Sequence, residues 1–452
     1  MSTVSCITLQ STLLNICDKT VVGLCKDKNN ARAVVVPEGV EAIAAKVFLD
    51  CTTLISVTLP TTLTSIGNQA FGDCTNLTGV TLPESLTSVG EFAFDCCGIT
   101  SLVLPDALKN IGRGAFCSLT KLTLLILPAN LAVIPKDGFS KCRALTSLIM
   151  PPSVTSIGAS SFSDCDSLAY VSLSENVRTV GWRAFRHCRN LVSLSFPAVM
   201  DYIGEGAFGV CRKLISLQLP KILENTKYIG EKMFQYCNKL TSLTLPDNVE
   251  IIQAKAFRHC TNLSYVKLPS SLKRLFNGAF FDCPSLTSLT LPDNMTRDYL
   301  SGDVFGRCTG LSSINLGRWE QIGRRTFYKC TALSSITLLG GLKKIDEEAF
   351  FGCIGLTSLV LPQTLTHVGK SAFMNCSGLS SLCFRPRLSP AFITWVLGSS
   401  RNRNNWQVTT LKHSHNLLHL ITDLALDRRD PRSLDPNGMN FVFYGCTKLQ
   451  FL

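Results

Sequence analysis

No run of eighteen apolar residues occurs anywhere in the 452, and the first thirty lack both a basic stretch and a continuous apolar core. The first absence argues against a membrane-spanning helix, and the second predicts that no secretory signal is present. Charge is scarce as well: Asp, Glu, Lys and Arg together make up 17% of the chain. The 44 cations and 32 acids leave a net +12, too dilute for a disordered tail or a histone-like arm. The last 76 residues carry nine of those cations against four acids, so the C-terminal end is the more basic. We read no nucleophile elbow, phosphate loop, H-E-x-x-H pair or dinucleotide fingerprint in the chain. We therefore predict no catalytic residue, no cofactor and no metal centre.

What the chain has in excess is cysteine, 21 in all. A short secreted protein with that content would be a disulfide scaffold, but here the cysteines run along the whole length. Fifteen follow a phenylalanine by three residues, from Phe48/Cys51 and Phe71/Cys74 through Phe373/Cys376, with a last pair at Phe443/Cys446. The phenylalanines from 48 to 373 are mostly 23 apart, with steps of 22, 25 and 26 as exceptions. A fixed period of this size marks a solenoid of stacked coils.

Each unit reads roughly A-F-x-x-C-x-x-L-x-x-L-x-L-P-x-x-L-x-x-I-G, and residues 70–93 are a clean copy. The alternating L-x-L piece predicts a short strand, and the proline after it ends ladder pairing and turns the chain. The stretch from I-G to A-F-x-x-C is expected to return as a short helical or irregular turn. One coil cannot bury its own apolar edge, so Leu, Ile, Phe and Cys must stack on their copies in the next. Sixteen strand segments, the first ending near Val36 and the last near Phe384, predict an α/β solenoid with one long parallel sheet.

These landmarks resemble the BspA-like class of leucine-rich repeats, over about residues 32–384. The resemblance implies a leucine-rich repeat array, and a role as a surface antigen, adhesin or interaction protein.

A row of thiols, one per coil, admits a disulfide ladder or a metal ladder. Packing explains it better, because Leu119 takes the cysteine position in the unit of Phe116, as suits a buried apolar slot and not a ligand. Free thiols favour a reducing compartment. Cys6, Cys17, Cys25, Cys96, Cys117 and Cys383 lie outside the register, and either Cys96 or Cys97 can fill the core slot of its unit.

Residues flanking the second apolar position of each strand face outward. Of thirty such positions, from Ser56 and Thr58 to Ser381 and Cys383, most are Ser or Thr; Lys267 is the one cation and there is no acid. Val103, Leu124, Ile126, Ile149 and Tyr170 form an apolar island on four consecutive coils, the pattern of a partner site. The competing reading is that β-branched and aromatic residues simply suit half-exposed strands. Tyr265 and Lys267 make a smaller irregularity. The Ser/Thr ladder also admits ice binding. Cations on the other surfaces, among them Arg183, Arg186, Arg318 and Arg325, admit phosphate binding, but interspersed acids make nucleic acid an unfavoured partner. Longer turns at 220–229 and 292–300 are expected to project from one edge, where they can carry recognition.

The ends should be capped to avoid open strand edges. Residues 20–25 and 32–36 predict a hairpin over the first coil, in a cap of residues 1–31 that leads into the solenoid of 32–384. Residues 385–452 predict a helical cap, with a helix over 410–427, followed by a fragmentary last coil. On that helix His415, His419 and Asp423 read as a solvated face rather than a metal site, and Arg401, Arg403 and Trp406 as a minor candidate contact for an acidic partner. The sequence thus predicts a non-enzymatic scaffold binding a protein partner through the strand face or a loop edge. It is expected to be cytoplasmic and, with both ends capped, monomeric; a cell-surface adhesin is the alternative.

Overall fold

Nearly every repeat contributes two short strands in the computed structural model, which describes residues 7–8, 14–24, 31–293, 295–296, 298–316, 319–338, 340–384 and 446. The chain divides into two units, residues 1–226 and 227–452. In the first unit the L-x-L segments form strands from Ala33–Val35 to Ser216–Gln218, and in the second from Ser242–Thr244 to Ser381–Phe384. Each pairs in parallel with its copy one coil on, as in Ser193↔Ser216 and Leu194↔Leu217. The expected single sheet is not continuous. The column breaks between Gly79–Val80 and Ser101–Val103, between Leu124–Ile126 and Ser147–Ile149, and between Ser335–Thr337 and Ser358–Leu361. Residues 288–290, one of the sixteen expected strands, pair with neither neighbour. Strands of three residues make so few ladder bonds per step that a small displacement of one coil opens the joint.

The segment entering I-G differs from the expected helical or irregular turn. It is a second parallel column, running from Ala42–Ile43 to Tyr202–Ile203 in the first unit and from Tyr228–Ile229 to His367–Val368 in the second. Here the coils lie so close that the recurring glycine has a steric reason. A Cβ on Gly181 would stand 2.4 Å from the Ala159 nitrogen of the preceding coil. No helix occurs among the described residues, and the helix expected over 410–427 lies outside them.

The A-F-x-x-C corner is a turn with an alternating hydrogen-bond pattern. In the coil of Phe185, the N–H groups of Arg183, Phe185 and His187 donate to Glu205, Ala207 and Gly209 of the next coil. Those of Ala184, Arg186 and Cys188 close locally onto Gly181, Arg183 and Phe185. This requires Arg183 and His187 to adopt positive φ, 54° and 64°. Side-chain-bearing residues seldom do so, yet the positions recur in nearly every coil because the ladder on both sides fixes them.

The corner places each phenylalanine ring on the next. In the first unit the stack from Phe48 to Phe208 has centroid spacings of 4.8–5.8 Å. A second stack runs from Phe234 to Phe373 at 5.1–6.0 Å. The cysteines prove more than small hydrophobes. Most buried register thiols donate to the carbonyl of the phenylalanine one coil back, as Cys188 Sγ does to Phe162 O at 3.3 Å and Cys74 to Phe48 O at 3.0 Å. Cys97, not Cys96, fills the slot of its unit and donates to Phe71 O.

The N-terminal hairpin is not the one expected. Thr20–Leu24 pairs antiparallel with Leu14–Cys17 and parallel with Ala42–Ile43, so it opens the second column. Ala33–Val35 belongs to the other column, paired with Ser56–Thr58. Cys17 is disulfide-bonded, whereas the register cysteines from Cys51 to Cys376, and Cys446, are free. At the far end Cys446 is buried and donates to Phe373 O at 3.2 Å, the contact a further coil would make.

If ring stacking and close approach of the coils hold the structure, Phe185→Ala should lose about 3–5 kcal/mol. Gly181→Ala should lose about 1–3 kcal/mol through overpacking against backbone. Urea denaturation of the full chain measures both, and a Gly181→Ala protein as stable as the parent would remove the steric account of the I-G glycine.

Candidate protein-binding faces

The strand face is built by alternation: in nearly every strand of the first column the middle residue is buried and its two neighbours are exposed. The island residues therefore all project outward. Val103 faces Ile126 in direct register, and Leu124 faces Ser101. Ile149 and Tyr170 sit on the paired strands of the next two coils, 76% and 65% exposed. The structure places the five on adjacent coils of one unit, across the open joint between 124–126 and 147–149. Val35, also exposed on this face, was missed because it precedes the first clean repeat.

Tyr265 and Lys267 lie in the second unit, also exposed, on the strand Tyr265–Lys267. They border a cleft of about 520 Å³ whose other wall is Ser288, Leu289 and Thr290, the segment that fails to pair.

The charged flanks are largely tied up between coils. Arg189 and Arg143 approach Asp166 at 3.4 and 4.0 Å, Arg324 approaches Glu347 at 3.5 Å, and Lys343 binds Glu320 at 2.8 Å. Arg325 is paired with Glu348, while Arg318 lies outside the described residues. Lys227 and Lys273 both hold Glu250, whose carboxyl is drawn below its ordinary value by hydrogen bonds from Lys273 and Lys227. At the corners His187 Nδ1 lies 2.7 Å from Asp164, and His259 Nδ1 2.7 Å from Asp282. Burial works to raise Asp164, but the hydrogen bonds of His187 and Ser163 outweigh it and hold the carboxyl low.

Of the longer turns, 220–229 does not simply project. Its Ile222–Leu223 pairs with Val199–Met200, so the added residues extend a ladder. In 292–300, Met295 is buried and Leu300 bridges to Ile322, which turns much of that loop inward too. Residues 204–209, GEGAFG, do spell a glycine-rich phosphate motif that the sequence reading missed, yet they form a corner with no helix behind it. A Cβ on Gly204 would meet the Trp182 nitrogen at 2.4 Å, so packing accounts for that glycine.

Thiol chemistry is disfavoured by the same burial that stabilises the ladder. Desolvation pushes Cys260 up to about 12, and the half-buried, out-of-register Cys96 up to about 11, with Asp95 adding to the shift. Cys117, also out of register, donates to Asp95 at 2.9 Å. No group of three metal-ligating side chains occurs among the described residues. His415, His419, Asp423, Arg401, Arg403 and Trp406 lie outside them.

Comparison with known proteins bears on the repeat. The BspA type leucine rich repeat region, a family profile of six copies, matches residues 41–165, 132–228, 227–319 and 298–391. Among solved structures, a leucine-rich repeat protein from Bacteroides ovatus is 21% identical, with a TM-score of 0.56 over 84% of this chain and 93% of its own. A leucine rich cell surface protein from Faecalibacterium prausnitzii is 26% identical over 85% of this chain and 96% of its own, at a TM-score of 0.47. No curated protein matches the sequence.

The thiol geometry predicts that alkylation at pH 8 leaves the buried ladder cysteines intact until denaturant is added. Cys96, raised from 9.0 to about 11, should react about 100-fold more slowly than an ordinary thiol, because the thiolate is the nucleophile. Mass mapping of the modified residues checks this, and rapid labelling of Cys96 would contradict it.

Proposed function

Because the chain belongs to the BspA type leucine-rich repeat family, we propose that it is a non-enzymatic scaffold that binds a protein partner through the strand face of residues 101–172. The observation that carries the reading is the exposure of Val103, Leu124, Ile126, Ile149 and Tyr170 together on neighbouring strands otherwise faced with Ser and Thr. Burying such side chains against a partner is favourable at about 25 cal/mol per Å² of apolar surface, and aromatic and branched anchors dominate interfaces. The non-enzymatic role is supported by the use of the recurring Phe, Cys, Leu and Gly in stacking. Interstrand ion pairs on the flanks weigh against nucleic acid, since cations held by acids are poorly placed to replace counterions.

A second reading, a cell-surface antigen or adhesin, is favoured by one observation. Cys17 is disulfide-bonded, and disulfides persist in oxidising compartments. The free thiols, which at sequence level favoured a reducing cytoplasm, do not decide against it, because burial keeps them protonated and unreactive.

Two measurements test these readings. A pull-down with the intact chain should lose its specific partner on Ile126→Glu/Ile149→Glu while circular dichroism and the urea midpoint stay unchanged. Retention of the same partner by the folded variant would refute the face. Protease shaving of intact cells should release peptides of this chain if it is on the surface, and none if it is cytoplasmic.

A further inference from the structure

In the first strand column most coils hydrogen-bond to the next, and at one of its lapses the strand Tyr265–Lys267 is paired on one side only. There it meets Ser242–Thr244 in register, and Leu245 N–H donates to Lys267 O at 3.1 Å. On the other side the next step of the register would join Tyr265 to Ser288 and Lys267 to Thr290. No hydrogen bond makes that step: neither the N–H of Leu268, the counterpart of Leu245, nor that of Val266 reaches Ser288 or Thr290. The gap opens into the 520 Å³ cleft, a volume within the roughly 300–1,000 Å³ range of ligand sites. The turn that follows is two residues longer than usual.

We propose that this cleft binds a short extended peptide, carrying an acidic side chain, as a strand inserted between Tyr265–Lys267 and residues 288–290. Both walls present main-chain donors and acceptors left unpaired between them, which an added strand satisfies and a compact small molecule does not. Val266 and Leu289 close the floor with buried side chains. At the rim Tyr265 is 58% exposed and offers an apolar platform. Lys267 is the one cation among the thirty outward positions of this column, so it selects a carboxylate at the peptide residue beside it. Asp293 lines the turn end of the cleft and places the acidic residue away from that end. Main chain that is unpaired on both sides suits a free segment rather than the edge of another folded coil, so the occupant is a peptide and not a second copy. The proposal stands apart from the 101–172 face, which lies in the other unit.

The test uses the full chain and a fluorescently labelled heptapeptide of alternating Thr and Val with a central Glu. Three companions accompany it: the same peptide N-methylated at alternate residues, a central-Lys version, and Lys267→Glu protein. We expect saturable binding of the Glu peptide, about tenfold weaker binding after N-methylation, and a preference for the Lys peptide in Lys267→Glu. Hydrogen exchange supplies a readout without mutation. The Val266 and Leu268 amides should exchange faster than that of Leu245 in the free protein and slow on peptide addition. Amides at 266 and 268 already as protected as that of Leu245 would overturn the proposal. So would binding indifferent to N-methylation, no binding up to 1 mM, or a homodimer that Lys267→Glu dissociates.

Discussion

Within each unit everything follows from the step between coils, which main-chain hydrogen bonding holds near the spacing of paired strands. At that step every residue meets its own copy, so a side chain is admissible inside only if it packs against itself. Phenylalanine does so by stacking its rings nearly parallel, with centroids 4.8–6.0 Å apart. Cysteine does so by donating a hydrogen bond to a carbonyl one coil away. Glycine does so by having nothing to clash. A buried charge has no such solution, because repetition would set like against like; charges are found instead on the flanks, where acids and cations alternate between neighbouring coils.

That logic separates what the sequence reveals from what it conceals. The Phe/Cys period and the outward positions are visible because one residue type recurs at a fixed place, and the island could be named from its departures. The second strand column was not visible: it spans two residues per coil, too few for any alternation to register. Leu14–Cys17 was overlooked as the hairpin partner because LNIC resembles no repeat segment, whereas 32–36 has the alternation of a strand and belongs to the face column. The cleft was equally hidden. Ser288 and Thr290 occupy the outward positions like their copies, and nothing in SLT itself foretells an unpaired segment; Tyr265 and Lys267 were noticed only as unusual residues beside it. The thiol–carbonyl bond was concealed by the opposite problem, since a buried cysteine and a buried hydrophobe have the same periodicity.

The two exposed features differ in what they ask of a partner. The island offers apolar side chains on a surface whose main chain is largely engaged in pairing, and suits a folded protein that brings its own shape. The cleft offers unpaired main chain with few distinctive side chains, and suits a segment without structure of its own. Both arise from lapses in an otherwise uniform array, one in side-chain type and the other in pairing.

The seat of Cys446 has a bearing on how such proteins are cut and compared. Its thiol occupies the place that a coil directly after Cys376 would fill, although 70 positions separate the two cysteines. The structural boundary of the array therefore does not coincide with the point at which periodicity lapses near residue 384. A fragment ending there would keep every complete repeat and still lose the Cys446 contact to Phe373 O, leaving the last coil with an adhesive end.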